Sequence, residues 1–373
     1  MEEMVLSAMT GTAVRQDHGT DAIAPRDLRE WLHRVDAIGE LKRVTAEVDR
    51  DEEMSAVAYL AGQTLGAPAL LFQRIKGYPE GYRALWGILG SSLNRIALAM
   101  GEPAGLSVMD LIRRARTRFS RGLPPVHIDP DKAPVNECIM LGDRVDVTRF
   151  PAPRHWPRDG GRYIGTADSV ITRDPEGGWL NVGTYRMMVH DERHVGLYLS
   201  PGKDARLHIE AWCRRGKPCE VVAAWGTIPA LFIAGSQTFP KTASELDYVG
   251  GMQGAPVELT RGVATDLPIP AHAEIVMEGV VEPDAMKLEG PFGEFTGYYG
   301  RPEDLAFLVK VRASTTGRTR SLPTPSWRTT RPASRASSTP SPAPPASGTI
   351  SIVSASPGSG ASILTRPPPA ASG

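Results

Sequence analysis

The chain has 373 residues, 41% of them apolar and 23% charged, with 3 Cys and a formal net charge of zero; that length makes two or more domains of ~100–200 residues with ample apolar material for a core. The neutral sum hides an uneven split, because the last acid is Asp304 and the last lysine Lys310, and residues 311–373 hold 7 Arg. Residues 1–310 therefore carry 35 basic against 42 acidic groups, a net −7, which argues against a binder of nucleic-acid phosphates, since these concentrate positive charge.

Residues 1–24 read as a loose leader, polar through Thr12–Asp21 and unlike a secretion signal. Pro25 opens a helix in which Leu28, Trp31, Leu32 and Val35 recur on one face, and Gly39 closes it. A second helix is expected over Glu52–Gly62, short buried strands over Ala69–Ile75 and Ala84–Leu89, and two helices over Ser92–Gly101 and Ser107–Phe119. These elements make an N-terminal α/β domain, residues 25–122, ending near Gly122-Leu-Pro-Pro125.

From about Val135 the runs become β-rich: Val135–Leu141, Tyr163–Thr172, Trp179–Val189, Val195–Leu199, Glu220–Trp225, Val257–Gly262, Ala273–Val281 and Leu305–Val311. Only two helices, Asp204–Arg215 and Ser244–Met252, are expected between them. Many strands with few helices suggest a barrel or sandwich over residues 123–312, and an α+β class for the whole. Residues 313–373 are almost wholly Ser, Pro, Ala, Thr, Gly and Arg, with short apolar patches at Ile350–Val353 and Ile363–Leu364. Such a composition predicts a disordered tail. The abrupt loss of acids and lysine after a good strand is also the pattern of a shifted reading frame in a GC-rich gene, the favoured reading; an ordinary low-complexity tail is the alternative.

No apolar stretch approaches the roughly 20 residues needed to span a bilayer. Three cysteines, Cys138, Cys213 and Cys219, cannot build a disulfide framework, and the Cys213–Cys219 spacing suits no zinc site. A reduced, cytoplasmic protein is expected. Phosphate-loop, His-Glu-x2-His, nucleophile-elbow and dinucleotide Gly motifs are absent from the sequence. His190 and His194 have helical metal spacing but fall in a strand and turn, which argues against a metal there.

Three segments remain: His155-Trp-Pro-Arg-Asp-Gly-Gly-Arg-Tyr-Ile164, Asn181-Val-Gly-Thr-Tyr-Arg186, and Leu288-Glu-Gly-Pro-Phe-Gly-Glu294. Each alone could be an exposed strand end or a tight turn. In the third, Gly290 and Gly293 free the backbone and Pro291 fixes a dihedral, so Glu289 and Glu294 can face one cleft. Two carboxyl groups beside an arginine can divide the work of acid and base, and an arginine can grip a substrate carboxylate through two hydrogen bonds.

Together these segments resemble the UbiD-type decarboxylases, which use prenylated FMN. The resemblance covers about residues 25–312 and rests most on Glu-Gly-Pro-Phe-Gly-Glu. It implies a split β-barrel holding the flavin and a catalytic set matched by Arg186, Glu289 and Glu294. It also implies a divalent cation, usually Mn²⁺ with a neighbouring K⁺, clamping the flavin phosphate. Asn181 and Glu245 match two of its ligands. The third is Asp204 or His208, with Asp204 favoured on spacing, and the ligand oxygens suit a hard cation. Ala234, Gly235 and Ser236 resemble the loop that helps hold K⁺ and the phosphate.

By resemblance the reaction is a reversible, non-oxidative loss of CO₂ from an aromatic, heteroaromatic or α,β-unsaturated acid, with a flavin prenyltransferase supplying the cofactor. In it Arg186 orients the carboxylate and contacts the flavin, Glu294 donates the proton, and Glu289 holds Arg186. The family continues into a C-terminal domain with dimer contacts, unrecognisable here after about residue 312, so homo-oligomer formation and activity are expected to suffer. The alternatives are a non-catalytic flavin-binding subunit of a carboxylase complex, a pseudoenzyme inactivated by loss of that domain, and an unrelated flavin oxidoreductase on a similar barrel.

Overall fold

The computed structural model describes residues 24–64, 66–240, 243–294, 298–317 and 350–352. The expected leader, Ala24 apart, and most of the expected tail lie outside the described residues.

The N-terminal part runs α1 (Leu28–Ala37), β1 (Leu41–Val48), α2 (Glu53–Gly62), β2 (Ala69–Ile75), β3 (Arg83–Trp86), α3 (Leu93–Ala99) and α4 (Val108–Phe119). Its helix starts are legible. Asp27, Ser92 and Ser107 each accept the backbone N–H three residues on, pairing a donor that the first turn leaves free. α1 buries the expected stripe of Leu28, Trp31, Leu32 and Val35. β1, not anticipated, is mostly exposed and lacks a buried alternation; it forms by parallel pairing with β2. β2 runs antiparallel to β3, and residues Ile350–Ile352 add a parallel strand on the far side of β3. That patch of the expected disordered tail is therefore a strand.

The rest comprises β4 (Val126–His127), β5 (Cys138–Leu141), β6 (Arg162–Gly165), β7 (Ser169–Arg173), β8 (Leu180–Gly183), β9 (Met187–Val189) and β10 (His194–Leu197). Then follow α5 (Asp204–Arg214), β11 (Cys219–Trp225), α6 (Pro229–Gly235), α7 (Glu245–Gln253), β12 (Glu258–Arg261), β13 (Pro268–Pro270), β14 (Ile275–Glu289) and β15 (Asp304–Thr316). A third helix, α6, thus joins the two expected, and β15 continues to Thr316, beyond the expected end of the domain at 312.

Nine of these strands make one antiparallel sheet in the order β6-β9-β10-β15-β14-β11-β7-β8, with β5 on the far part of β15. β8 and β9 sit near opposite ends of that order, yet only Thr184–Arg186 joins them. The chain reaches at most roughly 14 Å across such a link, so the sheet must curl until its ends approach. Thr166–Asp168 crosses the same seam between β6 and β7. The two crossings are stapled together: the Tyr185 N–H donates to Asp168 Oδ1 at 2.9 Å, and the Thr184 hydroxyl donates to the Asp168 carbonyl at 2.9 Å. The result is a curled antiparallel half-barrel inside a mixed α+β fold.

Both faces of the sheet are packed. On one, Ile171, Val182, Val222 and Val276 meet α6 and α7, together with Ala97, Met100 and Leu111 of the N-terminal helices. On the other, Ile164, Val170, Val221 and Val309 meet Ala205 and Ile209 of α5. The N-terminal helices and the half-barrel therefore share a core. Among the described residues no helix is long and apolar enough to cross a membrane.

Candidate active site

Arg186 is the last residue of the β8–β9 seam crossing, and Glu289 is the last residue of β14. The Arg186 guanidinium donates through Nη2 to Glu289 Oε2 at 2.8 Å and through Nη1 to Glu294 Oε1 at 3.1 Å. Side-chain exposure grades across the set: 0% for Glu289, 11% for Arg186 and 33% for Glu294. Burial works against the arginine charge, but the bond to Glu289 and its charge outweigh it, so the Arg186 pKa rises. The guanidinium carbon lies 4.1 Å from the centre of the Tyr198 ring and 5.1 Å from that of Phe292, a cation–π arrangement.

Between the two carboxyl groups the chain turns through a cis Gly290–Pro291 bond, with Gly290 at φ +91° where a side chain would be strained. This turn is clamped to the His155–Ile164 segment. The Gly160 N–H donates to the Pro291 carbonyl at 2.9 Å, and the Gly293 N–H to Asp159 Oδ1 at 2.8 Å. Asp159 Oδ2 accepts the backbone N–H groups of His155 and Trp156. The three segments singled out in the sequence therefore meet. A Cβ on Gly160 would overlap the Gly290 carbonyl, and one on Gly293 would overlap the Trp156 ring.

Arg186 and Glu294 line a cavity of about 710 Å³ whose wall also carries Asn181, Asp204, Glu245, Gly235 and Ser236. Glu245, at the start of α7, accepts the Val182 N–H at 2.8 Å. Burial pushes its pKa up to about 7, with the Asp204 charge adding to the rise. Asn181 is buried, and among the described residues its Nδ2 has no partner. Burial, and the nearby Glu245 and Asp204 charges, push the Tyr185 phenol up to about 12. His208 does not reach the cavity wall: its Nδ1 lies 3.0 Å from Thr172 Oγ1 and its ring packs edge-on against Trp179. Ala234 is buried in the core behind Gly235 and Ser236. The Gly235 carbonyl accepts the Thr184 N–H at 3.1 Å, tying α6 to the seam.

Family models match over most of this architecture. The N-terminal domain of 3-octaprenyl-4-hydroxybenzoate carboxy-lyases matches residues 32–115, and their Rift-related domain matches residues 126–326. The chain belongs to the UbiD carboxy-lyase family. It is 34% identical over 288 residues to a pyrrole-2-carboxylic acid decarboxylase of Pseudomonas aeruginosa, covering 75% of this chain and 58% of that protein. It is 35% identical over 296 residues to an uncharacterized protein of Archaeoglobus fulgidus, covering 75% and 60%. The chain thus spans about three-fifths of the length of these curated relatives.

Two solved UbiD-class structures are similar. One is an evolved dimeric form of the enzyme HmfF from Pelotomaculum thermopropionicum in complex with prFMN: TM-score 0.72, 34% identity, 79% of this chain and 66% of that one. The other is the vanillic acid decarboxylase of Sedimentibacter hydroxybenzoicus in closed form: TM-score 0.74, 31% identity, 79% and 62%.

The cavity of this UbiD chain carries oxygen-bearing side chains on its wall at Asn181, Asp204 and Glu245. The cavity is within the ~300–1,000 Å³ typical of small-molecule sites. Glu245 is a buried acid that accepts one backbone N–H; carboxylate and amide oxygens such as those of Glu245, Asp204 and Asn181 suit a hard cation. Among the described residues no group of three or more His, Cys, Asp and Glu is placed to hold a metal. His194 instead pairs with Asp191 at 2.8 Å.

Sequence reasoning missed four contributors. Tyr198 stacks on Arg186, and its N–H donates to the Arg186 carbonyl at 3.2 Å. Tyr163 is fully buried, its phenol pushed far up by burial and then by the Glu289 charge. Asp159 clamps the Gly293 backbone, and His155 lines the cavity. The last three lay in the segment singled out, but only packing separates them from its other polar residues.

Proposed function

We propose that this chain catalyses the non-oxidative, reversible decarboxylation of an aromatic, heteroaromatic or α,β-unsaturated carboxylic acid with prenylated FMN. One observation carries the reading: a single guanidinium at the wall of a roughly flavin-sized cavity of about 710 Å³ is paired with two carboxyl groups, Glu294 on that wall and Glu289 buried behind it. When bound, prenylated FMN supplies the electron sink that no side chain provides for the pair left behind by CO₂.

The protein's residues do the rest. Arg186 has two further duties besides its ion pairs, orienting the substrate carboxylate and contacting the flavin, and its raised pKa keeps it charged throughout. Glu294, the more exposed acid, delivers a proton to the carbon that loses CO₂ and regains one from solvent. Glu289, fully buried, fixes Arg186 in place and balances its charge. Asn181, Asp204 and Glu245 would hold a divalent cation such as Mn²⁺ against the flavin phosphate, and the Ala234–Ser236 backbone a K⁺ beside it. The protein works in the cytoplasm and takes its cofactor from a flavin prenyltransferase, and the family's homo-oligomer is impaired here if the C-terminal domain is absent.

The test is co-expression of the full chain with a flavin prenyltransferase. The absorbance spectrum should report bound modified flavin, and a panel of benzoates, furoates, pyrrole-carboxylates and cinnamates should include an acid that releases CO₂. Bound flavin without CO₂ release from any acid would overturn the catalytic reading, and FMN reduced by NAD(P)H would replace it with an oxidoreductase.

A further inference from the structure

Glu294 is carried by the connection between β14 and β15, which leaves the sheet after Glu289 and rejoins it at Asp304. One side of this connection is held mainly through backbone. The Gly293 N–H donates to Asp159 Oδ1 at 2.8 Å, the Glu294 N–H donates to the Tyr298 carbonyl at 2.9 Å, and Gly293 and Tyr299 form an antiparallel bridge. The Tyr299 hydroxyl accepts the Arg158 N–H at 3.0 Å, and the Arg158 guanidinium carbon lies 4.5 Å from the centre of the Tyr299 ring. These contacts stay within the connection or face the His155–Ile164 segment.

Arg301 reaches the other way. Its Nη1 donates to the hydroxyl of Tyr198, which follows β10, and its guanidinium carbon lies 5.7 Å from the centre of that ring. Asp304, at the root of β15, lies 3.9 Å from the same guanidinium. Tyr198 therefore serves two arginines, since the Arg186 guanidinium carbon is 4.1 Å from the same ring centre. The contacts close a circuit. Arg186 bonds the Glu294 carboxyl, the Glu294 N–H bonds Tyr298, and Arg301 on the same stretch bonds Tyr198, whose ring returns to Arg186. A reacting acid on a connection needs such support to hold its geometry.

We infer that Arg301 is a positioning residue for decarboxylation: through the Tyr198 hydroxyl it sets the separation between Arg186, which grips the carboxylate, and Glu294, which delivers the proton. This rests on the decarboxylase reading above. Arg301 does not line the cavity and half of its side chain is exposed, so it acts through Tyr198 rather than on the substrate. The grip on substrate should survive its loss, because Arg186 keeps its 2.8 Å bond to the buried Glu289. Proton delivery should suffer, since a displacement of about 1 Å at a reacting group costs up to ~10²-fold in rate.

The experiment compares the co-expressed full chain with its Arg301→Leu, Tyr198→Phe and double variants, on whichever benzoate, furoate, pyrrole-carboxylate or cinnamate the wild type turns over. Arg301→Leu should lower kcat about 10–100-fold and change KM by less than about threefold. Tyr198→Phe keeps the ring on Arg186 and loses only the hydroxyl, so it should reproduce that loss, and the double variant should be no worse than either. Arg301→Lys, which keeps a charged donor, should regain part of the rate. A wild-type kcat in Arg301→Leu, a loss carried wholly by KM, or losses that multiply in the double variant would each overturn the inference. Hydrogen exchange of the flavin-free full chain needs no turnover. The backbone N–H of Glu294 should exchange about tenfold faster in Arg301→Leu and in Tyr198→Phe, and no faster again in the double variant; an unchanged rate overturns the inference. The two levels fail separately. A wild type that releases CO₂ from none of the acids sinks the decarboxylase reading, and the exchange rates then decide alone whether Arg301 positions Glu294; a wild type that turns over an acid no faster than Arg301→Leu does loses only the role of Arg301.

Discussion

Replacing Glu289 by Gln removes the fully buried half of the Arg186–Glu289 pair, whose shortest contact is 2.8 Å. Breaking such a pair leaves an uncompensated buried charge, which costs about 3–5 kcal/mol. Two features reduce that here. Glu294 still accepts from Arg186 at 3.1 Å, and the Tyr198 ring lies 4.1 Å from the guanidinium carbon, a contact worth ~0.5–2 kcal/mol. The expected loss for Glu289→Gln is therefore about 2–3 kcal/mol, whereas Glu294→Gln, at a carboxyl one-third exposed, should cost no more than ~1 kcal/mol. Urea unfolding of the flavin-free full chain, followed by far-UV circular dichroism, measures both without contributions from bound ligand. The double variant Arg186→Met with Glu289→Met supplies a cross-check, since removing both charges should cost less than removing the carboxylate alone. Equal losses for Glu289→Gln and Glu294→Gln would refute the division of labour between a structural and a chemical acid.

Glu294→Gln should abolish CO₂ release while the flavin spectrum of the co-expressed protein is kept; loss of bound flavin would make Glu294 part of the scaffold instead. Gly160→Ala drives a methyl into the Gly290 carbonyl and should destabilise the chain by at least ~1–3 kcal/mol and lower turnover, as read by thermal unfolding and initial rates. Burial raises the Asp168 pKa to about 8, so the folded chain holds a proton there that the unfolded chain releases near its ordinary value of 3.8. That contribution to stability is present at low pH and declines as pH rises toward about 8, at no more than ~1.4 kcal/mol per pH unit. Asp168→Asn should therefore flatten the stability profile between about pH 4 and 8, and a profile parallel to wild type would contradict the buried, protonated acid. Calorimetric titration with Mn²⁺ should lose its signal in Asn181→Ala and in Asp204→Asn and keep it in His208→Ala.

Much of this molecule can be read from the chain, and the failures share a cause. Capping residues announce α1, α3 and α4, because an unpaired N–H at a helix start demands a nearby side-chain oxygen. The Tyr163–Thr172 and Trp179–Val189 runs look like single strands but are each broken where the chain crosses the seam, at Thr166–Asp168 and Thr184–Arg186. β-propensity records how a residue suits a pleated surface and is silent on which strand lies beside it. Arg186 therefore seems an ordinary strand residue until the sheet curls, which is why its importance was legible only through the resemblance. α6 was missed because Pro229–Gly235 is short and apolar all round, with no amphipathic period to detect. His155 and Tyr163 are defined by the rings around them, a property of packing rather than of local sequence.

The seam has a temporal side. Arg186 leaves the ribosome 103 residues ahead of Glu289 and 108 ahead of Glu294. At translation rates of ~5–20 residues per second that interval lasts about 5–20 s. Throughout it the nascent chain carries a lone cation stacked at most on Tyr198, with neither counter-ion yet made. The ion-pair set is complete only once β14 and the turn that carries Glu294 have emerged.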